Sequence, residues 1–139
     1  MARRAFTLAE IIVVIIIIGI LATLVVPRLF GRIGQAKHAT ATSNANAIAS
    51  AVRTYILDCG MPPPGSSLEI LLACPSGVDK AAWDKGGPYL DNKEKIVDPW
   101  GKPFMLIVPG KKNVDFDIMS YGADGTPGGE GDNADIIKP

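Results

Sequence analysis

The chain opens on an apolar run that has no counterpart later in the sequence. From Ile11 to Val26 only Gly19 and Thr23 interrupt the aliphatic side chains, and counted from Phe6 the run reaches 21 residues. That is the length needed to cross a bilayer, about 20 residues as a helix. Isoleucine and valine dominate it, yet in lipid even β-branched segments stay helical, because every backbone group must pair internally. One carboxylate, Glu10, stands at the edge of the run, where an unpaired charge is costly. After Pro27 the pattern changes but its helical period does not. Gln35 to Leu57 is rich in Ala, Ser, Thr and Asn. Its apolar positions Ala45, Ile48, Ala49, Val52, Tyr55 and Ile56 recur at i, i+3, i+4 and i+7, the stripe of an amphipathic helix. Pro27 removes one backbone donor, which predicts a kink rather than an end. The pattern therefore predicts one helix of about 50 residues, far above the usual 11–12. Its first half is membrane-length, and its second half lies by one face on a small domain.

Beyond Cys59 the signals are short. Three prolines in "GMPPPGSSLEILL" end the helix, and a short helix follows with Ser67 as its cap and Ile70 and Leu71 turned inward. The stretch from Asp79 to Phe104 reads mostly as loop, with one helical turn around Ala81 to Trp83. Two apolar runs, Pro103 to Gly110 and Val114 to Gly122, flank Gly110-Lys111-Lys112-Asn113 and predict a hairpin. In the second run Phe116 and Ile118 alternate with Asp115, Asp117 and Met119, which predicts one buried and one wet face. A last short strand is expected at Asp135 to Ile137. The fold class is α+β: a long helix packed on a small antiparallel sheet.

The 14 basic and 14 acidic residues cancel, which argues against a nucleic-acid binder held by bulk charge. Their distribution is uneven. Arg3, Arg4, Arg28, Arg32, Lys37 and Arg53 make the first 53 residues basic, with Glu10 as the lone acid. Arg3 and Arg4 predict a cytoplasmic N-terminus and an external remainder. From Asp115 to Asp135 there are six acids and no base, a segment suited to cations. Cys59 and Cys74 bracket a loop rich in Pro and Gly; in an oxidising compartment they are a possible disulfide, and otherwise two buried thiols. With His38 remote from both, they make no zinc site. Trp83 and Trp100 read as core or turn-packing residues, and Lys80, Lys85, Lys93 and Lys95 as a solvated face. No phosphate loop, nucleophile elbow or metal-hydrolase motif is present, and no catalytic residue is expected.

"RRAFTLAEIIVVIIIIGILATLVVP" resembles the N-terminal signal shared by type IV pilins and type II secretion pseudopilins. Phe6, Thr7, Leu8, Glu10 and Pro27 match it in order and spacing. The resemblance implies that residues 1–5 are a leader removed by prepilin peptidase, with cleavage between Ala5 and Phe6 and methylation of the new Phe6 amine. Ala5 departs from the glycine usual before the cut. Residues 6–27 are then the membrane and assembly half of the helix, and 28–139 a soluble periplasmic head. "GPYL" (Gly87 to Leu90), "DPWGKPF" (Asp98 to Phe104) and "YGADGTPGGEGDNADI" (Tyr121 to Ile136) resemble the major pseudopilins of type II secretion. Type IV pilins proper usually close the head with a disulfide-bounded C-terminal loop, and this chain has no cysteine after Cys74.

The glycine-rich acidic segment Tyr121 to Asp135 cannot bury a core of its own. Its residue chemistry leaves two readings open, a solvated loop or a Ca²⁺ site built from carboxylates and carbonyls, without the EF-hand spacing. The resemblance implies the second, with one Ca²⁺ held by Asp124 first and then Asp132. Main-chain carbonyls near Tyr121 and Gly131 complete the set. Asp135 is either a further ligand or a cap for the last strand, and Glu130 is solvated. By the same resemblance the chain is a non-enzymatic structural subunit of a helical homo-oligomeric filament, the periplasmic pseudopilus that drives protein export. Its partners are minor pseudopilins, prepilin peptidase and the inner-membrane secretion platform, with no nucleic acid. It is expected in the bacterial inner membrane as a single-pass protein, cytoplasmic at its N-terminus. Glu10 is expected to meet the Phe6 amine of an adjoining subunit. The alternatives are a type IV pilin of a surface filament and a membrane-anchored monomeric Ca²⁺-binding domain.

Overall fold

The computed structural model describes residues 6–139, with the side chains of 27–30 left out. The leader, including Arg3, Arg4 and Ala5, lies outside the described residues. One helix, α1, runs Leu8–Cys59 over 52 residues, so the expected single long helix forms and Pro27 does not end it. The chain divides between Gly34 and Gln35 into two units.

In the first unit every large apolar side chain from Ile11 to Val26 is exposed. A helix apolar on all sides is stable only where something other than water surrounds it. Its one internal hydroxyl, Thr23, donates to the carbonyl of Ile20 at 2.7 Å, which leaves no unpaired donor in the run.

In the second unit Ala41, Ala45, Ile48, Ala49, Val52 and Tyr55 form the buried face of α1, one turn longer than the stripe read from Ala45. They pack on Leu68, Leu71, Trp83, Leu90, Phe104, Leu106, Phe116, Ile118 and Ile136. Small residues on the helix face let the backbone of α1 approach this layer closely. The sheet has the order β1-β2-β3, all antiparallel, with β1 at Met105–Ile107, β2 at Asp117–Ser120 and β3 at Ile136–Lys138. Leu106 pairs with Ile118, and Ile118 with Lys138. β1 is shorter than its apolar run, which Pro103 and Pro109 bound with no N–H to give to a ladder.

Two expectations are corrected here. The second face of β2 is not wet: Asp117 and Met119 are both buried. Met119 is flanked by its cross-strand neighbours Met105 and Ile137, as befits a central strand. Asp117 is buried because its carboxylate accepts from the backbone N–H groups of Lys112 at 2.7 Å and Asn113 at 3.1 Å, and from the Asn113 side chain. It thereby fixes the turn between β1 and β2. The second correction concerns Ser67. It precedes a short 3-10 helix, Leu68–Leu71, but makes no capping bond, and Ile70 is only half-buried while Leu68 and Leu71 are the inward pair.

Burial raises the pKa of Asp117, but the donors from Lys112, Asn113 and Lys111 outweigh it and hold the carboxyl below its usual range. A depressed folded value gives stability that is present above the unfolded value and lost as pH falls through the folded one. Thermal melts of the chain are therefore expected to drop in Tm below about pH 4. Asp117→Asn should lower Tm at neutral pH by an amount equivalent to about 1–3 kcal/mol and shrink that acid limb. An acid limb unchanged in the variant would remove Asp117 from the account.

The remaining apolar anchors sit at the end of α1. Tyr89 stands edge-on to Tyr55 and to Trp83, with ring centroids 5.5 Å and 6.0 Å away, and donates to Asp58 at 3.0 Å. Burial, with the Cys59 and Asp58 contacts behind it, raises the Tyr89 pKa. A Cβ on Gly87 would meet the Trp83 ring at 2.7 Å, so only glycine allows this turn to seat on the indole. Trp83 is thus core, as expected, and Trp100 packs partly buried against the same cluster. Lys80, Lys93 and Lys95 pair with Asp84, Glu69 and Asp91 on the exposed surface, where such pairs contribute little. Cys59 and Cys74 are both half-buried, and Cys59 Sγ lies 3.6 Å from the Tyr89 hydroxyl.

Candidate functional site

Two places carry the candidate residues, the start of α1 and the loop from Tyr121 to Asp135. At the helix start, Thr7 precedes the first turn and Glu10 occupies its third position. The Thr7 N–H and hydroxyl donate to Glu10 Oε2 at 2.9 and 3.0 Å, and the Glu10 N–H returns to Thr7 Oγ1 at 3.3 Å. This reciprocal pair is a capping box, and it satisfies two of the donors that a helix start leaves unpaired. The T-x-x-E spacing announces it in the sequence, where the apolar run drew attention to the charge alone. Glu10 Oε1 makes no hydrogen bond among the described residues. Phe6, Ala9, Ile11, Val13 and Val14 surround the carboxylate in a shallow hollow.

The second place is built from β2 outward. Asp98 is buried and organises the turn before β1: its Oδ1 accepts from the N–H of Trp100 at 3.0 Å and of Lys102 at 2.8 Å. Its Oδ2 accepts from the Ser120 hydroxyl at 2.7 Å, and Ser120 Oγ in turn accepts from the Gly122 N–H at 3.3 Å. The "DPWGK" turn thus fixes where the acidic loop leaves the sheet. Gly122 has φ +64, and a Cβ there would come within 3.0 Å of three main-chain atoms of Asp132, Asn133 and Ala134. The loop closes on itself at this glycine. Ala123 donates to the Asp132 carbonyl at 3.0 Å, and Gly125 to the Tyr121 carbonyl at 3.2 Å. A 3-10 turn, Gly131–Asn133, closes the far side.

The predicted ligands fall as follows. Asp124 is exposed and folds back on the Thr126 N–H at 3.1 Å. Asp132 is half-buried, and Glu130 is exposed, as expected. Asp135 Oδ2 accepts from the Gly128 N–H at 3.0 Å, so this residue caps the loop rather than the strand. Its Oδ1 is buried without a partner among the described residues. The Tyr121 and Gly131 carbonyls each accept one backbone bond, leaving a second lone pair free. No three His, Cys, Asp or Glu side chains converge as a metal cluster among the described residues. Sequence reasoning missed Lys102, whose ammonium donates to the Ala123 carbonyl at 2.8 Å from within the loop's own curl. The missing signal was the Asp98 turn, which delivers Lys102 there.

A helix with a bare apolar half, a small antiparallel sheet cradling the other half, and a glycine-closed loop after β2 define a pilin-like subunit. The family model for protein G of the type II secretion system matches residues 28–139. Type II secretion system core protein G of Pseudomonas aeruginosa is 46% identical over 136 residues, covering 96% of this chain and 93% of the relative. Its namesake in Vibrio cholerae is 39% identical, covering 96% and 90%. The crystal structure of the major pseudopilin from the type 2 secretion system of enterohaemorrhagic Escherichia coli superposes with a TM-score of 0.58. It is 30% identical, and the match spans 81% of this chain and 95% of that one. The chain belongs to the type II secretion system protein G family.

Proposed function

We infer that the chain is the major subunit of a periplasmic pseudopilus, and that stacked α1 helices hold that filament together. The observation that carries this is Glu10. One of its oxygens caps its own helix and the other is unused by the described residues, in apolar surroundings. Cleavage between Ala5 and Phe6 would free an amine, methylated in the mature chain, which suits that second oxygen in an adjoining subunit. A charge-assisted bond of this kind removes two charges from an apolar interface at once. Copies joined head to tail in this way do not close, and so form a fibre. Before assembly the subunit waits in the inner membrane, cytoplasmic at its N-terminus, with its head in the periplasm. It then meets prepilin peptidase, the secretion platform and the minor pseudopilins. The fibre acts as a piston for folded proteins, with energy supplied by an ATPase elsewhere. Membership of the protein G family supports this reading over a surface-filament pilin or a monomeric anchored domain.

The loop reading is calcium. The donors offered are all hard oxygens, and the unpaired buried Oδ1 of Asp135 is the kind of atom a cation explains. Asp124, Asp132 and Asp135, with the Tyr121 and Gly131 carbonyls, would hold it, and water would complete the shell. The ion would supply positive charge that neutralises the loop and ties its two ends.

Chemical crosslinking of the full chain in bacterial membranes tests the filament reading. A ladder of multiples is expected. A single band at the monomer, at any crosslinker length, would contradict it.

A further inference from the structure

We propose that the tip between β1 and β2, Lys111 to Val114, docks the head on anionic phospholipid. The tip is rigid and apolar at its point. Val114 is 90% exposed, more than any other large apolar side chain in the Gln35–Pro139 unit. The buried carboxylate of Asp117 holds the N–H groups of Lys112 and Asn113 behind it. A Cβ on Gly110 would collide with the Asn113 carbonyl at 2.2 Å, so only glycine fits this close approach. A fold that leaves a valine bare just after two exposed lysines presents a basic, apolar point.

The tip also stands at the right end of the unit. Lys112 lines one cavity of about 220 Å³ with His38, Thr42 and Lys138. His38 lies three residues after Gln35, where the chain enters this unit. Only eight residues separate Val26 from Gln35, so the chain enters this unit shortly after the apolar run ends. The charge balance favours an anionic surface. Lys111 and Lys112 are exposed, and neither they nor Lys37 enters any of the three ion pairs among the described residues. Asp115 is the exposed acid beside the tip. Asp132 and Asp135, also at this end, are half-buried, and Asp135 is engaged with Gly128. Each lysine at an anionic surface shifts the docked-to-free ratio about fivefold.

The inference rests on the membrane-anchored reading, and one experiment separates the two. The full chain is reconstituted in vesicles of phosphatidylcholine, with or without phosphatidylglycerol. A nitroxide sits on Val114→Cys, in a background with Cys59→Ala and Cys74→Ala. With phosphatidylglycerol the probe is expected to gain collisions with lipid-soluble oxygen and to lose them with an aqueous nickel complex. High salt should reverse this, and Lys111→Gln and Lys112→Gln should each lower the docked-to-free ratio about fivefold. Hydrogen exchange of the 111–115 amides in the unmodified chain gives the same comparison without substitution, and slower exchange on anionic vesicles is expected. A probe equally wet in both lipids overturns the inference and leaves the anchor intact. So does protection that ignores lipid charge and rises with protein density, which would assign the tip to a second copy. A chain that washes off the vesicles in alkaline carbonate overturns both.

Discussion

Glu10→Ala is expected to insert in the membrane and to be cleaved, but to yield no filament. Two losses contribute, and their sizes differ. Inside the chain the substitution removes the capping box with Thr7, which costs about 0.5–2 kcal/mol and frays the first turn. Between chains it leaves the Phe6 amine of the adjoining subunit without a partner in an apolar interface, a cost of about 3–5 kcal/mol at every contact. A filament repeats that contact along its whole length, so the second loss dominates. Glu10→Gln separates them. Glutamine keeps the capping-box geometry, since its side chain also accepts from the Thr7 N–H, but it carries no charge. Filament yield on a gradient should fall for Gln nearly as far as for Ala. Normal yield from Glu10→Gln would assign Glu10 to its own helix alone.

Calcium removal is the second large effect. If the loop holds one ion, excess calcium at about a hundred times its dissociation constant adds about 2.7 kcal/mol to the folded state. For a unit of this size that corresponds to a fall in Tm of about 10–20 °C on chelation. Thermal melts of the full chain with calcium and with chelator measure it directly. Asp135→Asn should erase most of the difference, because it alters the one buried loop oxygen that no described residue satisfies. It keeps an acceptor for the Gly128 N–H, so the loop's own closure survives. Identical melts with calcium and with chelator would return the loop to the solvated reading, ordered by Lys102 and its backbone bonds.

The long helix was legible because its two halves state their surroundings in their periods. One half is apolar at every position, and the other is apolar on one stripe. The hairpin was legible as two apolar runs around a turn, though the ends of β1 were not, because Pro103 and Pro109 bound its ladder. What stayed hidden was the use of buried carboxylates. An aspartate in a sequence is read as solvated, and neither Asp98 nor Asp117 looks different from Asp115. Their partners explain the burial, and those partners are turn N–H groups and, for Asp98, a serine 22 residues away. The helical turn expected around Ala81 to Trp83 is there as Lys80–Trp83, whereas the 3-10 turn Lys93–Ile96 is too short to show a period. Asp79 and Asn92 cap them through side-chain oxygens, and those caps were the available signal. At the helix start the sequence held both meanings of Glu10, and only the hydrogen bonds separate the oxygen that caps the helix from the one unused by the described residues.

The central claim is that this leftover oxygen meets a neighbour's new N-terminus. Electron cryo-microscopy of the assembled filament, at a resolution that places side chains, tests it most directly. The account predicts Glu10 of one subunit within about 3 Å of the Phe6 amine of the next, with the Thr7 cap still in place. A filament in which those two groups lie more than about a Debye length apart, roughly 10 Å, would contradict it.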